Sequence, residues 1–235
     1  MTRIILGFLI GMEPNAFHRL QNHLHPAKTR VPVIPVDHRG DSWDSMEVGN
    51  HLQCVGMDLT GKKIVIYCEN MYQEMELWVP LYRLQEAGAQ VVLAGSKADQ
   101  TFTSKLGYPV TTTMSYDQLN ANDYDGVIIP GGFAPDHMRR HPKANLFVKK
   151  MDEQGKLVAA ICHGPWVLCS AHGMLKGRRA TSFFAIKDDV INAGAKWEDA
   201  EVVVDKNLVT SRKPDDIPAF NKACLEVLAH APVAA

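Results

Sequence analysis

The segment KLVAAICHGPWVLCSAHGML, residues 156–175, decides the fold. KLVAAI (156–161) is a short apolar run of the kind found in strands that are buried on both faces of a sheet. The chain then turns at once into CHGPWVLCSAHGML (162–175), which we predict to be helical, since Pro165 suits an early helix position. A buried strand leading directly into a helix is the repeating unit of a parallel α/β sheet.

The same alternation extends to both sides of this segment. The predicted strands are KKIVIYC (62–68), QVVLAGS (90–96), DGVIIPGG (125–132) and a hairpin in EVVVDKNLVTS (201–211). The predicted helices are EMELWVPLYRLQEAG (74–88), PKANLFVKKMDEQG (142–155), IKDDVINAG (186–194) and DDIPAFNKACLEVLAHA (215–231). We therefore predict an α/β protein whose mainly parallel sheet is covered by helices on both faces, with a binding site at the carboxyl ends of the strands.

The pattern changes near residue 60. Residues 1–60 show weak periodicity and are interrupted by prolines, so we predict an N-terminal extension of unknown role, followed by an α/β domain over residues 61–235. The extension holds five of the ten histidines, but their spacing matches no ligand pattern, so we expect no metal site there. These histidines are His18, His23, His25, His38 and His51.

Charge and cysteine usage narrow the class of protein. The chain has 25 Lys and Arg against 26 Asp and Glu, so nothing favours a nucleic-acid partner. The apolar run in MTRIILGFLIGMEP (1–14) is about eight residues long, too short for a membrane span, and no cleavage site follows it. The five cysteines are widely spaced and form no CxxC pair, which argues against disulfides and zinc. We expect a cytoplasmic protein with no membrane contact and no cofactor.

Cys162 is the strongest candidate for a nucleophile. It lies at the turn between the predicted strand and helix, where the helix dipole favours a thiolate and the next backbone N–H is free to bind an oxyanion. Gly164 relieves crowding at this turn. Gly131 and Gly132 end another predicted strand and let the backbone approach a substrate, so one amide there can complete an oxyanion hole.

Several motifs resemble the ThiJ/PfpI family of the class I glutamine-amidotransferase-like superfamily. They are AICHGP (160–165), IIPGGFAPD (128–136), the pattern E-L-x-x-P-x-x-R-L from Glu76, and GRRATSFFAIKDDVINAGAKWEDAEVVVD (177–205). The resemblance covers roughly residues 62–230. It implies a flavodoxin-like three-layer sandwich, Cys162 as nucleophile and His163 as the adjacent histidine. It also implies that Asp136, where relatives usually carry Glu, reaches the histidine of a neighbouring subunit in a homo-oligomer, from dimer to hexamer.

Two departures from the family pattern bear on activity. Alignment on Glu76, Leu77 and Pro80 puts Gln73 where the family has a glutamate beside the nucleophile, with Glu74 next to it. An amide cannot relay protons, so we predict poor conversion of methylglyoxal to lactate. Phe183 stands where close relatives often have Tyr, which makes the substrate pocket more apolar.

Two functions follow from these residues. The first is a cysteine-dependent hydrolase or hydratase acting on a small electrophilic carbon, such as an α-oxoaldehyde, a glycation adduct, an amide or a nitrile. The second is a redox or electrophile sensor, or a chaperone-like binding protein, whose Cys162 is oxidised instead of turned over.

Overall fold

The computed structural model describes residues 57–230, and the extension predicted from the sequence therefore falls largely outside the described residues. Within this range the strands are β1 (Lys63–Tyr67), β2 (Gln90–Gly95), β3 (Thr101–Thr103), β4 (Pro109–Thr111), β5 (Met114–Ser115), β6 (Gly126–Ile129), β7 (Leu157–Ile161), β8 (Arg179–Ala180), β9 (Lys196–Trp197), β10 (Val202–Asp205) and β11 (Leu208–Ser211). The α-helices are α1 (Glu74–Glu86), α2 (Ala134–Met138), α3 (Pro142–Glu153), α4 (Pro165–Ser170), α5 (Lys187–Asn192) and α6 (Ile217–His230).

Seven strands form the central sheet in the order β10-β11-β7-β6-β1-β2-β5. All neighbours are parallel except β10 and β11, which form the hairpin predicted around residues 205–207. Lys206 turns this hairpin with a φ of 57°. The two-stranded pairs β3-β4 and β8-β9 lie outside the sheet. Four short 3-10 turns complete the described elements: Tyr116–Gln118, Ala121–Asp123, Phe184–Ile186 and Pro214–Asp216.

Helices cover both faces of the sheet, which confirms the predicted flavodoxin-like α/β sandwich. Helices α1 and α6 contact each other and the sheet on one face, while α4 contacts both α3 and α5 on the other. Every residue of β6 and β7 is buried, as expected of central strands that are covered on both sides. Leu59, just before β1, is also buried in this core. Among residues 57–230 no helix is both long and apolar enough to cross a membrane.

The helix predicted over residues 162–175 is much shorter in the structure. Cys162 to Gly164 form a turn, closed by a hydrogen bond from the Gly164 N–H to the Ile161 carbonyl (2.8 Å), so α4 begins at Pro165. It ends at Ser170, because Ala171 leaves helical geometry and Gly173 takes a φ of 79°. Composition alone did not reveal this early stop, since Leu and Ala after residue 170 favour a helix.

The order of the strands sets the position of the site. β6 lies between β7 and β1, so the carboxyl ends of these three strands are adjacent. The loop after β1 is joined to the loop after β6 by the pairing of Tyr72 with Gly132. The Gln73 N–H donates to the Gly131 carbonyl (3.2 Å) and the Phe133 N–H to the Met71 carbonyl (2.9 Å). Segments more than 50 residues apart in sequence thus form one wall around Cys162.

Candidate active site

Cys162 occupies a strained backbone position. Its φ is 60°, in the left-handed region that non-glycine residues seldom adopt. The Cys162 N–H donates to the Ser211 carbonyl (3.0 Å) and its carbonyl accepts from the Phe183 N–H (2.9 Å), so the residue is held on both sides. Only 7% of it is exposed. The arrangement is a sharp strand-to-helix turn that presents the thiol at the carboxyl edge of the sheet.

The neighbouring glycines are needed because the backbone comes so close. A Cβ on Gly131 would lie 2.7 Å from both the Cys162 Cβ and the Glu76 Oε2. A Cβ on Gly164 would lie 2.4 Å from the Ile129 carbonyl oxygen. Gly132 combines a φ of 77° with a Cβ position 2.4 Å from the Met71 carbonyl oxygen. Substitution at any of these three positions would push apart the walls of the site.

The carboxyl group beside the thiol belongs to Glu76, and this corrects the sequence-based placement of Gln73. Gln73 is the N-cap of α1, and its side-chain oxygen accepts a hydrogen bond from the Glu76 N–H (3.1 Å). Glu74 points elsewhere, accepting from the Leu106 N–H (2.6 Å) in the turn between β3 and β4. The alignment used in the sequence analysis was therefore displaced by three residues, about one helical turn, from Glu76 to Gln73. Glu76 is fully buried, and its spacing with Pro80 and Leu84 marks the inner face of α1, a signal the sequence did contain.

Glu76 is held by one hydrogen bond and keeps one oxygen unpaired. Its Oε2 accepts from the Gly131 N–H (2.7 Å), whereas Oε1 is buried with no hydrogen-bond partner among the described groups. Burial raises the pKa of Glu76 to about 7, although the Gly131 N–H and the adjacent Cys162 thiol act in the opposite direction. Near neutral pH this side chain can therefore either hold or accept a proton.

The thiol and this carboxyl titrate as a pair. Burial, followed by the charge of Glu76, raises the pKa of Cys162 to about 12, whereas the sequence led us to expect a lowered value. The backbone N–H groups of Gly132 and His163 act against this rise by donating toward the sulfur. A proton on Glu76 removes the repulsion and lets the carboxyl donate to a thiolate. The thiolate is therefore favoured when Glu76 carries the shared proton.

The same two N–H groups define the oxyanion position. Gly132 and His163 face the sulfur, whereas the Gly131 N–H is already used by Glu76. Of the two predicted glycines, Gly132 is thus the one whose amide is available to a substrate oxygen. Gly131 supplies close approach and holds Glu76.

His163 lies directly beside the thiol, as expected. Its Nδ1 is 3.2 Å from the Cys162 Sγ. Burial lowers the pKa of His163, and the charge of Lys105 adds to this, so the ring is neutral near pH 7. Phe183 stacks on it (ring centroids 4.9 Å apart, 29° between planes), and Trp166 meets it edge-on at 5.2 Å. Phe183 therefore forms an apolar wall of the site, and its predicted role in substrate binding stays a prediction.

Asp136 lies on the exposed surface of α2. In the described part of the chain its carboxylate pairs with Arg140 one helical turn away. The predicted contact with a histidine of a neighbouring subunit stays a prediction. Two further aromatic side chains, Phe133 and Phe184, are 55% and 73% exposed near the histidine and Phe183. Among residues 57–230 no group of three potential metal ligands is assembled.

Fold and site together define a flavodoxin-like α/β protein with a cysteine-centred site. The chain belongs to the DJ-1/PfpI family, whose model matches residues 62–227. A deglycase from Pyrococcus horikoshii is 43% identical over 166 residues, which are 71% of this chain and 99% of the relative. General stress protein 18 from Bacillus subtilis is 41% identical over 170 residues, 72% of this chain and 98% of that protein.

Solved structures agree with this assignment. DJ-1beta from Drosophila melanogaster superposes with a TM-score of 0.66 at 28% identity, covering 72% of this chain and 91% of that one. A two-domain protein from Anabaena variabilis, with DJ-1/ThiJ/PfpI-like and ferritin-like domains, gives a TM-score of 0.69 at 43% identity. That match covers 71% of this chain and 48% of the two-domain chain.

Proposed function

We propose that this protein is a cysteine-dependent deglycase, a hydrolase of the adducts that α-oxoaldehydes form with thiols and amines. The observation that carries the proposal is the buried pair of Cys162 and Glu76, with an unpaired Glu76 oxygen and a pKa near neutrality. Relatives named deglycases at 43% identity over nearly their whole length support this choice of substrate.

The arrangement of Cys162, Glu76 and the two backbone N–H groups fits the following reaction sequence. The Cys162 sulfur forms a bond to the aldehyde-derived carbon of the adduct, and the thiol or amine of the adduct leaves with a proton. Glu76 then takes the proton from this carbon and returns it to the adjacent carbonyl carbon, while the hydroxyl proton passes to the carbonyl oxygen. The enzyme-bound hemithioacetal thereby becomes a thioester. The Gly132 and His163 N–H groups stabilise the oxyanions. Water hydrolyses the thioester, so that methylglyoxal and one water become one lactate.

This proposal differs from the sequence-based expectation of weak glyoxalase-type chemistry. That expectation depended on Gln73 standing beside the nucleophile, and the structure has Glu76 in that place. The neutral His163 is suited to accept the Cys162 proton or to activate the water for hydrolysis.

The test uses a hemithioacetal of methylglyoxal, with lactate release as the readout. We expect turnover by the wild type and none by Cys162→Ser, while Cys169→Ser retains turnover because Cys169 lies further along α4. Iodoacetamide should also modify Cys162 before Cys68 and Cys224, which are fully buried. Turnover by Cys162→Ser would refute nucleophilic catalysis by this residue.

The sensor role remains a second candidate, because an unpaired buried oxygen beside a thiol could also hydrogen-bond to an oxidised sulfur. Mass spectrometry after mild peroxide treatment separates the two. Stoichiometric oxidation to a sulfinate in a protein that turns over no adduct would favour the sensor. Turnover that is lost on oxidation would favour the enzyme.

A further inference from the structure

The turn between β3 and β4 places a lysine at the mouth of the site. Lys105 is exposed, and its Nζ lies 5.8 Å from the centroid of the Phe133 ring. Its charge favours a lower pKa for both Glu76 and His163, against the larger effect of burial on Glu76 and together with it on His163, which is consistent with its place near the site. Neither the sequence motifs nor the chemistry of Cys162 requires a cation at this position.

The backbone holds this lysine in a fixed relation to the oxyanion position. The Lys105 N–H donates to the Tyr72 carbonyl (3.0 Å), and the Thr103 carbonyl accepts from the Met71 N–H (2.7 Å). Tyr72 in turn pairs with Gly132, whose amide faces the Cys162 sulfur. The Lys105 backbone is therefore hydrogen-bonded to the Tyr72 segment, and that segment pairs with Gly132 at the site.

The Lys105 ammonium has hydrogen-bond donors with which it can bind an anionic ligand. Within residues 57–230 no carboxylate lies within 4 Å of it, and no side-chain hydrogen bond occupies its three donors. Its contact with the Phe133 ring is a weak cation–π interaction at an exposed position. Two exposed apolar side chains lie near this turn, Leu106 (87% exposed) and Phe133 (55% exposed). A charged neighbour of Lys105 is the Glu74 carboxylate, which accepts from the Leu106 N–H and whose pKa the ammonium lowers.

We propose that Lys105 is a specificity-determining residue that binds a carboxylate of the substrate. Resting on the proposed deglycase function, this inference names the preferred substrates as adducts of α-oxoaldehydes with free amino acids or small thiol acids. A neutral adduct of equal size would lack this contact. An exposed ion pair of this kind is worth a modest preference, roughly threefold to tenfold.

The first experiment needs no turnover, so it fails independently of the proposed function. Iodoacetate and iodoacetamide both lose iodide as a bond forms between the Cys162 sulfur and the methylene carbon, but only iodoacetate carries a carboxylate. We measure the ratio of the two second-order rates. Lys105→Met should lower the ratio threefold to tenfold and Lys105→Arg should largely keep it. The control Lys222→Met, an exposed lysine on α6, should leave the ratio as in the wild type.

A second experiment extends the test to turnover. It compares kcat/KM for the methylglyoxal hemithioacetal of N-acetylcysteine with that of N-acetylcysteine amide. The wild type should prefer the acid, and Lys105→Met should lose this preference through KM. Added salt should reduce the preference in the wild type only. A reagent ratio that is the same in Lys105→Met and the wild type, or that Lys105→Arg reduces as far as Lys105→Met does, would overturn the proposal.

Discussion

Glu76 and Cys162 are the two residues whose chemistry depends most on each other. Each is buried, and the pKa of each is raised, so the pair cannot lose both protons near neutral pH without a large electrostatic cost. The pair therefore keeps at least one proton near neutral pH. Cys162 is a thiolate only when Glu76 holds that proton. In the proposed mechanism Glu76 is both the partner that allows a thiolate and the base that moves a proton on the substrate.

Glu76→Gln should lower kcat/KM for methylglyoxal adducts by about 10²–10⁴-fold, the usual contribution of a general acid–base group. The amide can still accept from the Gly131 N–H, so the fold is kept while the proton relay is lost. Steady-state lactate assays check this, with Glu86→Gln as a control, since Glu86 lies on the same helix with its side chain 74% exposed.

The change Gln73→Glu tests the alternative assignment, in which residue 73 lies beside the thiol. The sequence alignment led us to expect at least a tenfold gain in turnover from this change. With Glu76 beside the sulfur and Gln73 at the helix cap, we now expect no gain. A clear gain in lactate formation would mean that residue 73, and not residue 76, governs proton transfer.

At the scale of elements, the turn between β7 and α4 stores backbone strain at Cys162, the proposed nucleophile. Cys162 has a φ of 60°, a region that costs a residue with a Cβ roughly 1 kcal/mol or more. The parallel pairing of β7 with β6 and β11 and the start of α4 at Pro165 together impose this conformation. A straighter exit from the strand would carry the thiol away from Glu76 and Gly132.

Cys162→Gly should therefore be more stable than Cys162→Ala by about 1 kcal/mol, because glycine adopts positive φ without strain. Urea unfolding of the two inactive variants measures this difference. Ala160→Gly, two residues earlier and inside β7, should instead be destabilising, since glycine weakens an ordinary strand. If Cys162→Gly were the less stable variant of the pair, strain at this turn would not be significant.

At the scale of the whole molecule, burial of Glu76 links folding to pH. The folded-state pKa is about 7 against an ordinary value of 4.5, so the folded protein binds a proton in this interval that the unfolded chain has released. The contribution of Glu76 to stability is thus greatest below about pH 4.5. It declines as pH rises to about 7 and is constant above that.

We expect the free energy of unfolding of the wild type to fall relative to that of Glu76→Gln across pH 4.5–7. The difference should total at most about 3.5 kcal/mol, at about 1.4 kcal/mol for each unit of pKa change between 4.5 and about 7. Urea unfolding of both proteins at half-unit pH steps measures it. A difference that is flat across this range, or that grows in favour of the wild type, would contradict a raised pKa.

The predicted role of Asp136 depends on a homo-oligomer, in which this residue contacts a neighbouring subunit. The Asp136 side chain on α2 is 47% exposed and pairs with Arg140 just beyond the helix. The family resemblance implies that Asp136 orients His163 of a neighbouring subunit. We expect Asp136→Ala and Cys162→Ser to be inactive alone and to regain part of their activity when protomers are mixed. Lactate release after confirmed subunit exchange measures this. No recovery would exclude a role for Asp136 across an interface.

Much of the fold was predictable from the sequence because local patterns determine it. The buried runs of β1, β6 and β7 and the amphipathic pattern of α1 gave the correct order of elements and the parallel sheet. The position of Cys162 at the end of β7 followed from the break of an apolar strand into Gly164 and Pro165. These features depend on neighbours along the chain, so the sequence states them directly.

The identity of the carboxyl partner was decided by tertiary structure alone. Gln73, Glu74 and Glu76 are close in sequence, and which of them faces the thiol depends on where α1 begins and how it rotates against β1 and β6. Capping by Gln73 fixes that start, and the Gly131 N–H fixes the Glu76 carboxyl. Lys105 likewise reaches the site only because the turn after β3 is hydrogen-bonded to the loop after β1. Such placements arise from contacts between distant segments, whose geometry no local pattern encodes.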